Sequence, residues 1–175
     1  MLFRSLTTGQ NQADPVCRGD GRWVYFSDRD DEGKIKRVSI EGGMPETVIP
    51  RAMGAFDLSP DGKKILSTDI REFDHRIVWR VDTVDTHKQE FYEADQRVVG
   101  GAGYSADGKE VVYFVREKGV DNLWKRKLEG GTPEQLTRFM DLKIASFGFS
   151  PDGKKIAIAR GESDSDTVLI HDITR

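Results

Sequence analysis

One short turn, spelled four times at a nearly constant interval, limits what this chain can fold into. Phe149-Ser150-Pro151-Asp152-Gly153-Lys154-Lys155-Ile156 and Leu58-Ser59-Pro60-Asp61-Gly62-Lys63-Lys64-Ile65 are almost the same stretch. Tyr104-Ser105-Ala106-Asp107-Gly108-Lys109-Glu110-Val111 keeps the frame, and Arg18-Gly19-Asp20-Gly21-Arg22-Trp23-Val24 is a worn copy. Asp20, Asp61, Asp107 and Asp152 stand 41, 46 and 45 residues apart, a period that belongs to repeat architectures.

The turn has a clear physical reading. Pro sets φ for the second position of a type I turn, and Asp suits the third. Gly21, Gly62, Gly108 and Gly153 then supply the left-handed residue that closes a hairpin with a bulge. Each copy leads into an apolar run: Trp23-Val24-Tyr25-Phe26, Ile65-Leu66, Val111-Val112-Tyr113-Phe114-Val115 and Ile156-Ala157-Ile158-Ala159. These runs do not alternate strictly with polar residues, so the strands are expected to be covered on both faces. No window keeps a helical apolar stripe free of Gly or Pro. Four short strands in each repeat predict an all-β fold, a partial β-propeller of about four blades of four-stranded antiparallel sheets.

In chain order, Met1–Ser5 reads as a non-native leader, and residues 6–11 as an outer strand (Leu6–Thr8) left from a preceding blade. The blades are expected over residues 12–50, 51–95, 96–144 and 145–175, as one domain. Blade one places strands at Ile35–Ile40 and Thr47–Ile49, separated by Glu41-Gly42-Gly43-Met44-Pro45-Glu46. Blade three repeats this with Leu123–Leu128, Glu129-Gly130-Gly131-Thr132-Pro133-Glu134 and Gln135–Phe139. Blade four is expected to end on its third strand, Thr167–Ile173.

Composition removes several function classes. A 37% apolar content over 175 residues supports a real core. A net charge of −3 gives no general attraction to nucleic acid or anionic lipid. No apolar run reaches membrane-spanning length, and no secretory leader is legible. The single cysteine, Cys17, cannot form an internal disulfide.

The repeats resemble the Pro-Asp variety of WD-like propeller repeat found in TolB and in the propeller domains of prolyl-oligopeptidase-type peptidases. The four Asp-Gly turns carry the resemblance, with Asn122-Leu123-Trp124 followed by Gly130-Gly131-Thr132-Pro133-Glu134-Gln135-Leu136-Thr137. The ending Asp166–Arg175 also resembles the C-terminus of bacterial multidomain proteins in which a propeller follows a kinase or winged-helix domain. The resemblance implies a fragment of a larger protein, in an extracytoplasmic setting, that recognises or senses a ligand without catalysing a reaction. The alternative it implies is an accessory propeller gating a peptidase-type catalytic domain located elsewhere.

The candidate chemistry is thin. Gly103-Tyr104-Ser105-Ala106-Asp107 and Gly148-Phe149-Ser150-Pro151-Asp152 come within one residue of a nucleophile elbow, but in a strand–turn–strand context. His75, His87 and His171 fall in different blades. Asp28-Arg29-Asp30-Asp31-Glu32-Gly33 begins like a calcium loop, yet Ser39 stands where the closing Glu belongs. No catalytic residue, cofactor or metal is expected. Asp20, Gly21, Asp61, Gly62, Asp107, Gly108, Asp152 and Gly153 are assigned to structural turns.

The loops between second and third strands carry the sharper expectation. Together they hold 12 acidic against 4 basic residues, a net of −8. The expected acidic rim comprises Asp28, Asp30, Asp31, Glu32, Asp69, Glu72, Asp74, Glu117, Asp121, Glu162, Asp164 and Asp166. Such a rim draws cations or basic peptides. The expected partner is therefore a protein or peptide of basic character, with no nucleic acid and no membrane insertion. Uncovered faces on blades one and four, assigned to Trp23, Tyr25, Ile156 and Ile158, predict self-association to complete the ring.

Overall fold

The structure, a computed structural model, describes residues 5–50, 55–150 and 152–162. Among these residues there are strands and no α-helix. The first sheet contains β1 (Gln12–Val16), β2 (Trp23–Asp28), β3 (Lys34–Ser39) and β4 (Glu46–Ile49). The second contains β5 (Phe56–Leu58), β6 (Lys64–Ile70), β7 (Ile77–Thr83) and β8 (Gln89–Glu93). The third contains β9 (Val98–Tyr104), β10 (Glu110–Glu117), β11 (Val120–Lys127) and β12 (Gly130–Gln135). A hairpin of β13 (Lys143–Phe149) and β14 (Ile156–Gly161) opens the fourth. Each sheet runs in chain order and pairs antiparallel, as successive propeller blades do.

The blades pack face to face through a rule that the repeat imposes. Period-two alternation sends the third residue after each turn glycine toward the preceding blade and the next residue toward the following one. Tyr25 accordingly packs with Ile65, and Leu66 with Val111. Val112 shares a cluster with Ile158. Ile65, Leu66 and Val111 reach zero exposure, so the middle strands are covered on both faces. Trp79 is fully buried between the second and third blades, its ring 5.2 Å from that of Tyr113. Trp23 and Trp124 pack against the same kind of seam.

This rule corrects the expected end faces. Trp23, Tyr25 and Ile158 lie inside seams, and Ile156, 37% exposed, shares the side of Ile158. Blade four turns Ala157 and Ala159 outward instead, opposite Gly148 and Ser146. Blade one presents Val24, Phe26 and Val38, which share a cavity of about 290 Å³ with Leu6, Thr7, Gly9 and Gln10.

Leu6–Thr8 is not a strand. No strand lies beside it among the described residues, so it lacks a ladder partner and crosses the blade-one face as irregular chain. The outer strand of blade three also differs, beginning at Gly130 rather than Gln135. Gly130 and Gly131, at φ of 117° and 109°, let pairing resume directly after the turn. Its Lys125–Glu134 pairing repeats Arg37–Glu46 of blade one, so the two hairpins share one register. The expected strand Thr167–Ile173 lies outside the described residues.

Candidate functional site

The four Asp-Gly turns form a contiguous row. Gly62, Gly108 and Gly153 hold φ near 70°, at 71°, 71° and 68°. In each full copy the Ser hydroxyl donates to the Asp carboxylate: Ser59 to Asp61 at 2.6 Å, Ser105 to Asp107 at 2.7 Å, Ser150 to Asp152 at 2.6 Å. The same hydroxyl accepts the backbone N–H of Lys64, Glu110 or Lys155 at 2.9 Å. The Asp oxygen also accepts the N–H two residues on, at 3.1 Å in all three. Ser hydroxyl donation, then that N–H, holds Asp61, Asp107 and Asp152 below the ordinary carboxylate range. Blade one keeps only the Asp20 bond to the Arg22 N–H, at 3.0 Å.

Neighbouring turns touch. A Cβ built on Gly62 would lie 3.3 Å from the Gly19 Cα, and one on Gly108 3.0 Å from Pro60. One on Gly153 would lie 2.6 Å from the Ala106 Cβ. The row therefore defines one face of the arc. The loops joining second to third strands leave the opposite ends of those strands and lie on the other face.

A half-buried carboxylate ties the row to the core. Asp57 on β5 pairs with Arg18 of blade one at 3.2 Å and accepts the Tyr104 N–H of blade three at 2.9 Å. Gly103 leaves it room, since a Cβ there would sit 3.0 Å from the Asp57 oxygen. Burial pushes the Asp57 carboxyl up despite both partners.

The loop face is acidic in sequence but only partly so in charge. Asp28 and Asp31 share Lys36 at 2.9 and 2.7 Å, and Asp31 also takes Lys34 at 2.6 Å. These pairs occupy the calcium-like loop. Asp74 holds Arg71 by two bonds at 3.0 and 2.7 Å, and Glu117 holds Arg97 at 2.6 Å. Asp121 is not on the rim at all. It is fully buried, braced by Arg116 at 2.7 and 3.0 Å, and it accepts the Ile144 N–H of blade four at 2.9 Å. β11 begins at Val120, so Asp121 belongs to the strand rather than to the loop. Burial would raise the Asp121 carboxyl, but Arg116 and that N–H hold it below the ordinary range.

Asp30, Glu32, Asp69, Glu72 and Glu162 pair with no cation among the described residues. Asp164 and Asp166 lie outside the described residues. Phe73 stands among the unpaired carboxylates, 80% exposed. Its loop is fixed by the Arg71 N–H to Arg76 carbonyl bond at 2.9 Å and the His75 N–H to Arg71 carbonyl bond at 2.8 Å. Arg71 also bridges to Glu93 at 3.0 Å and lies 4.7 Å from the Phe73 ring centre. Sequence reading passed over Phe73. Its signal was an aromatic at the tip of a charged hairpin, Arg71-Glu72-Phe73-Asp74-His75. Asn122, legible only as part of the repeat motif, clamps the crossover to blade four by accepting from the Thr137 hydroxyl and from the Phe139 N–H, at 3.0 and 2.6 Å.

The serines of the elbow-like motifs are engaged within their own turns, and His75 and His87, expected in different blades, both belong to blade two, exposed on the β6–β7 and β7–β8 loops. His171 lies outside the described residues. Among the described residues no His, Cys, Asp and Glu grouping is arranged to hold a metal ion. No helix of the described residues is long and apolar enough to cross a membrane.

Comparison with known proteins agrees with this geometry. The putative TolB of Agrobacterium tumefaciens matches with a TM-score of 0.70 at 22% identity, over 87% of this chain and 55% of that one. The fold is that of the TolB β-propellers. TolB of Acinetobacter baumannii also matches with a TM-score of 0.70, at 23% identity, over 89% of this chain and 39% of its own. No family model matches the chain. An uncharacterized protein of Agrobacterium fabrum, Atu1656, is 31% identical over 121 residues, which cover 62% of this chain and 41% of that protein. The chain thus spans less than two thirds of each of these relatives.

Proposed function

We propose that this chain is a non-enzymatic recognition segment of a propeller that engages a basic protein or peptide through its loop face. The observation that carries this reading is Phe73, 80% exposed on a loop fixed by backbone bonds and ion pairs. A large apolar side chain held out in water by a preorganised loop has the character of an interface anchor. The unpaired Glu32, Glu72 and Glu162 on the same face supply the charge preference. The hydrogen-bonded state of Ser105 and Ser150 supports a non-catalytic role for both.

The test is binding of lysine- and arginine-rich peptides that carry one aliphatic anchor, followed by surface plasmon resonance at several salt concentrations. Phe73→Ala and Glu72→Lys should each weaken binding roughly tenfold, with the melting temperature kept. The absence of salt-sensitive binding, or binding that both variants leave intact, would overturn the reading.

The end faces support self-association as part of the same proposal. The small Ala157 and Ala159 side of blade four is open, whereas Phe26 and Val38 of blade one are 4% and 1% exposed beneath residues 6–10, which a second copy's blade four would displace to complete the seam. Sedimentation should show concentration-dependent association that Ala157→Glu abolishes. A monodisperse monomer at all concentrations would remove this element.

A further inference from the structure

Every seam between blades sets strand against strand, but the outward face of blade one is covered differently. Val24, Phe26 and Val38 stand on the side that Ile65, Val111 and Ile158 hold in the later blades, the side turned to a preceding blade. Phe26 and Val38 are buried there beneath residues 6–10, which form no strand.

That cover fits poorly and is lightly held. Leu6 is the one large apolar side chain it brings, and the cavity of about 290 Å³ remains between it and the face. Among the described residues, no backbone hydrogen bond joins residues 6–10 to blade one. The side-chain tie to β1 is the Thr7 hydroxyl, which donates to Gln12. Firm attachment starts at Asn11, whose carbonyl accepts the Arg29 N–H and whose own N–H donates to Asp30, both at 3.1 Å. A segment with a fixed foot and few contacts beyond it opens at low cost.

The other end of the arc offers a closer cover. Ala157 and Ala159 are exposed on the outward side of blade four, opposite Gly148 and Ser146 in a paired hairpin. A surface of such small residues leaves room for the bulky Val24 and Phe26 of another chain, so the two sides complement each other in shape.

We propose that residues 6–10 are an autoinhibitory strap, which competes with blade four of a second copy for the Val24, Phe26 and Val38 face. This regulation presupposes the self-association proposed above and adds a limit to it. Only a chain whose strap has swung out about Asn11 accepts a partner, so the observed affinity is lowered by the open fraction.

The test is sedimentation equilibrium of the full chain and its variants, with thermolysin cleavage before Leu6 followed over the same concentrations. Leu6→Glu takes the strap's apolar contact off the face and should tighten association roughly tenfold. Thr7→Ala, which loses the bond to Gln12, should tighten it roughly threefold. In wild type, cleavage before Leu6 should rise as association proceeds, and Ala157→Glu should abolish both association and that rise. Wild-type association that Leu6→Glu leaves unchanged or weakens would overturn the strap and leave the self-association reading in place. So would association during which Leu6 keeps its resistance to cleavage. No association in any of these chains would remove both. Aggregation of Leu6→Glu that Ala157→Glu does not stop would reveal bare apolar surface rather than a seam, and would overturn the strap as well.

Discussion

The two faces of the arc use carboxylates in opposite ways. On the turn face Asp61, Asp107 and Asp152 are engaged by their own serine and backbone, within a few residues. On the loop face some pairs are also local, as Asp74 with Arg71 is, but Asp28 and Glu117 reach a lysine and an arginine on neighbouring strands, and Asp121 reaches into the next blade. Local bonds repeat wherever the local sequence repeats. Longer-range pairs depend on what each blade happens to carry, so the loop face is irregular. The turn face is built as scaffold, and the loop face is free to vary.

The sharpest test of that difference is Asp121→Ala. Removing this carboxylate leaves the Ile144 N–H buried without an acceptor and Arg116 without its partner. A loss of roughly 2–3 kcal/mol is expected, discounted because Arg116 itself is partly exposed. Asp57→Asn, at another inter-blade carboxylate, should cost less, because burial already disfavours its charge. Chemical denaturation of both variants checks the order. Equal losses would mean that position in the fold, rather than partner geometry, decides the effect.

The turn row should break next. Gly153→Val places a β-branched residue at a φ of 68° with its Cβ 2.6 Å from Ala106, and should cost roughly 1–3 kcal/mol. Gly21→Ala has the same strain at a φ of 70° but open space around it, and should cost about 1 kcal/mol. Thermal melts that fail to separate the two would show that the contact between turns carries no energy.

These contrasts mark what was legible in the sequence. The turns were, because their bonds join residues two to five apart and the motif recurs. The blade seams were legible only as apolar runs. The direction of each side chain needed the register, which is why Tyr25 and Ile158 were assigned to open faces and belong to seams. The rim was half legible: loop composition gives the acids, but not which meet Lys36 or Arg97 across a strand pair. Asp121 was misplaced for the same reason, since nothing local shows that the Ile144 N–H arrives from another blade. Leu6-Thr7 and Leu136-Thr137 are the same dipeptide, and neither lies in a strand: β12 ends at Gln135, so the likeness marks chain leaving an outer strand rather than the strand itself.

A smaller effect separates the turns by pH. Asp61, Asp107 and Asp152 are lowered in the folded chain, so their stabilisation is complete above the ordinary carboxylate range. It is lost as pH falls through their lowered folded values. Asp57 is raised and has the opposite sign: the fold gains as it takes up a proton. Ser105→Ala removes the first cause of the Asp107 shift and should cost about 1 kcal/mol near neutrality, and less below the carboxylate range. Unfolding curves of wild type and variant should therefore converge as pH falls. Curves that stay parallel would show that the Ser105–Asp107 bond does not set the carboxylate's proton affinity.

The smallest change in stability is expected at Phe73, where the loop face is most exposed. The ring is 80% exposed and touches Arg71, so Phe73→Ala removes one cation–π contact of about 0.5 kcal/mol. The loop itself is held by the Arg71–Arg76 and His75–Arg71 backbone bonds and by the Arg71–Asp74 ion pair, none of which involves the ring. The melting temperature should fall by no more than about 2–4 °C, and the amide shifts of Arg71, Asp74 and His75 should stay close to wild type. A larger fall, or the loss of those shifts, would show that Phe73 folds the loop instead of being displayed by it. The loop face would then be scaffold as much as the turn face is, and the exposed ring would no longer point to a partner.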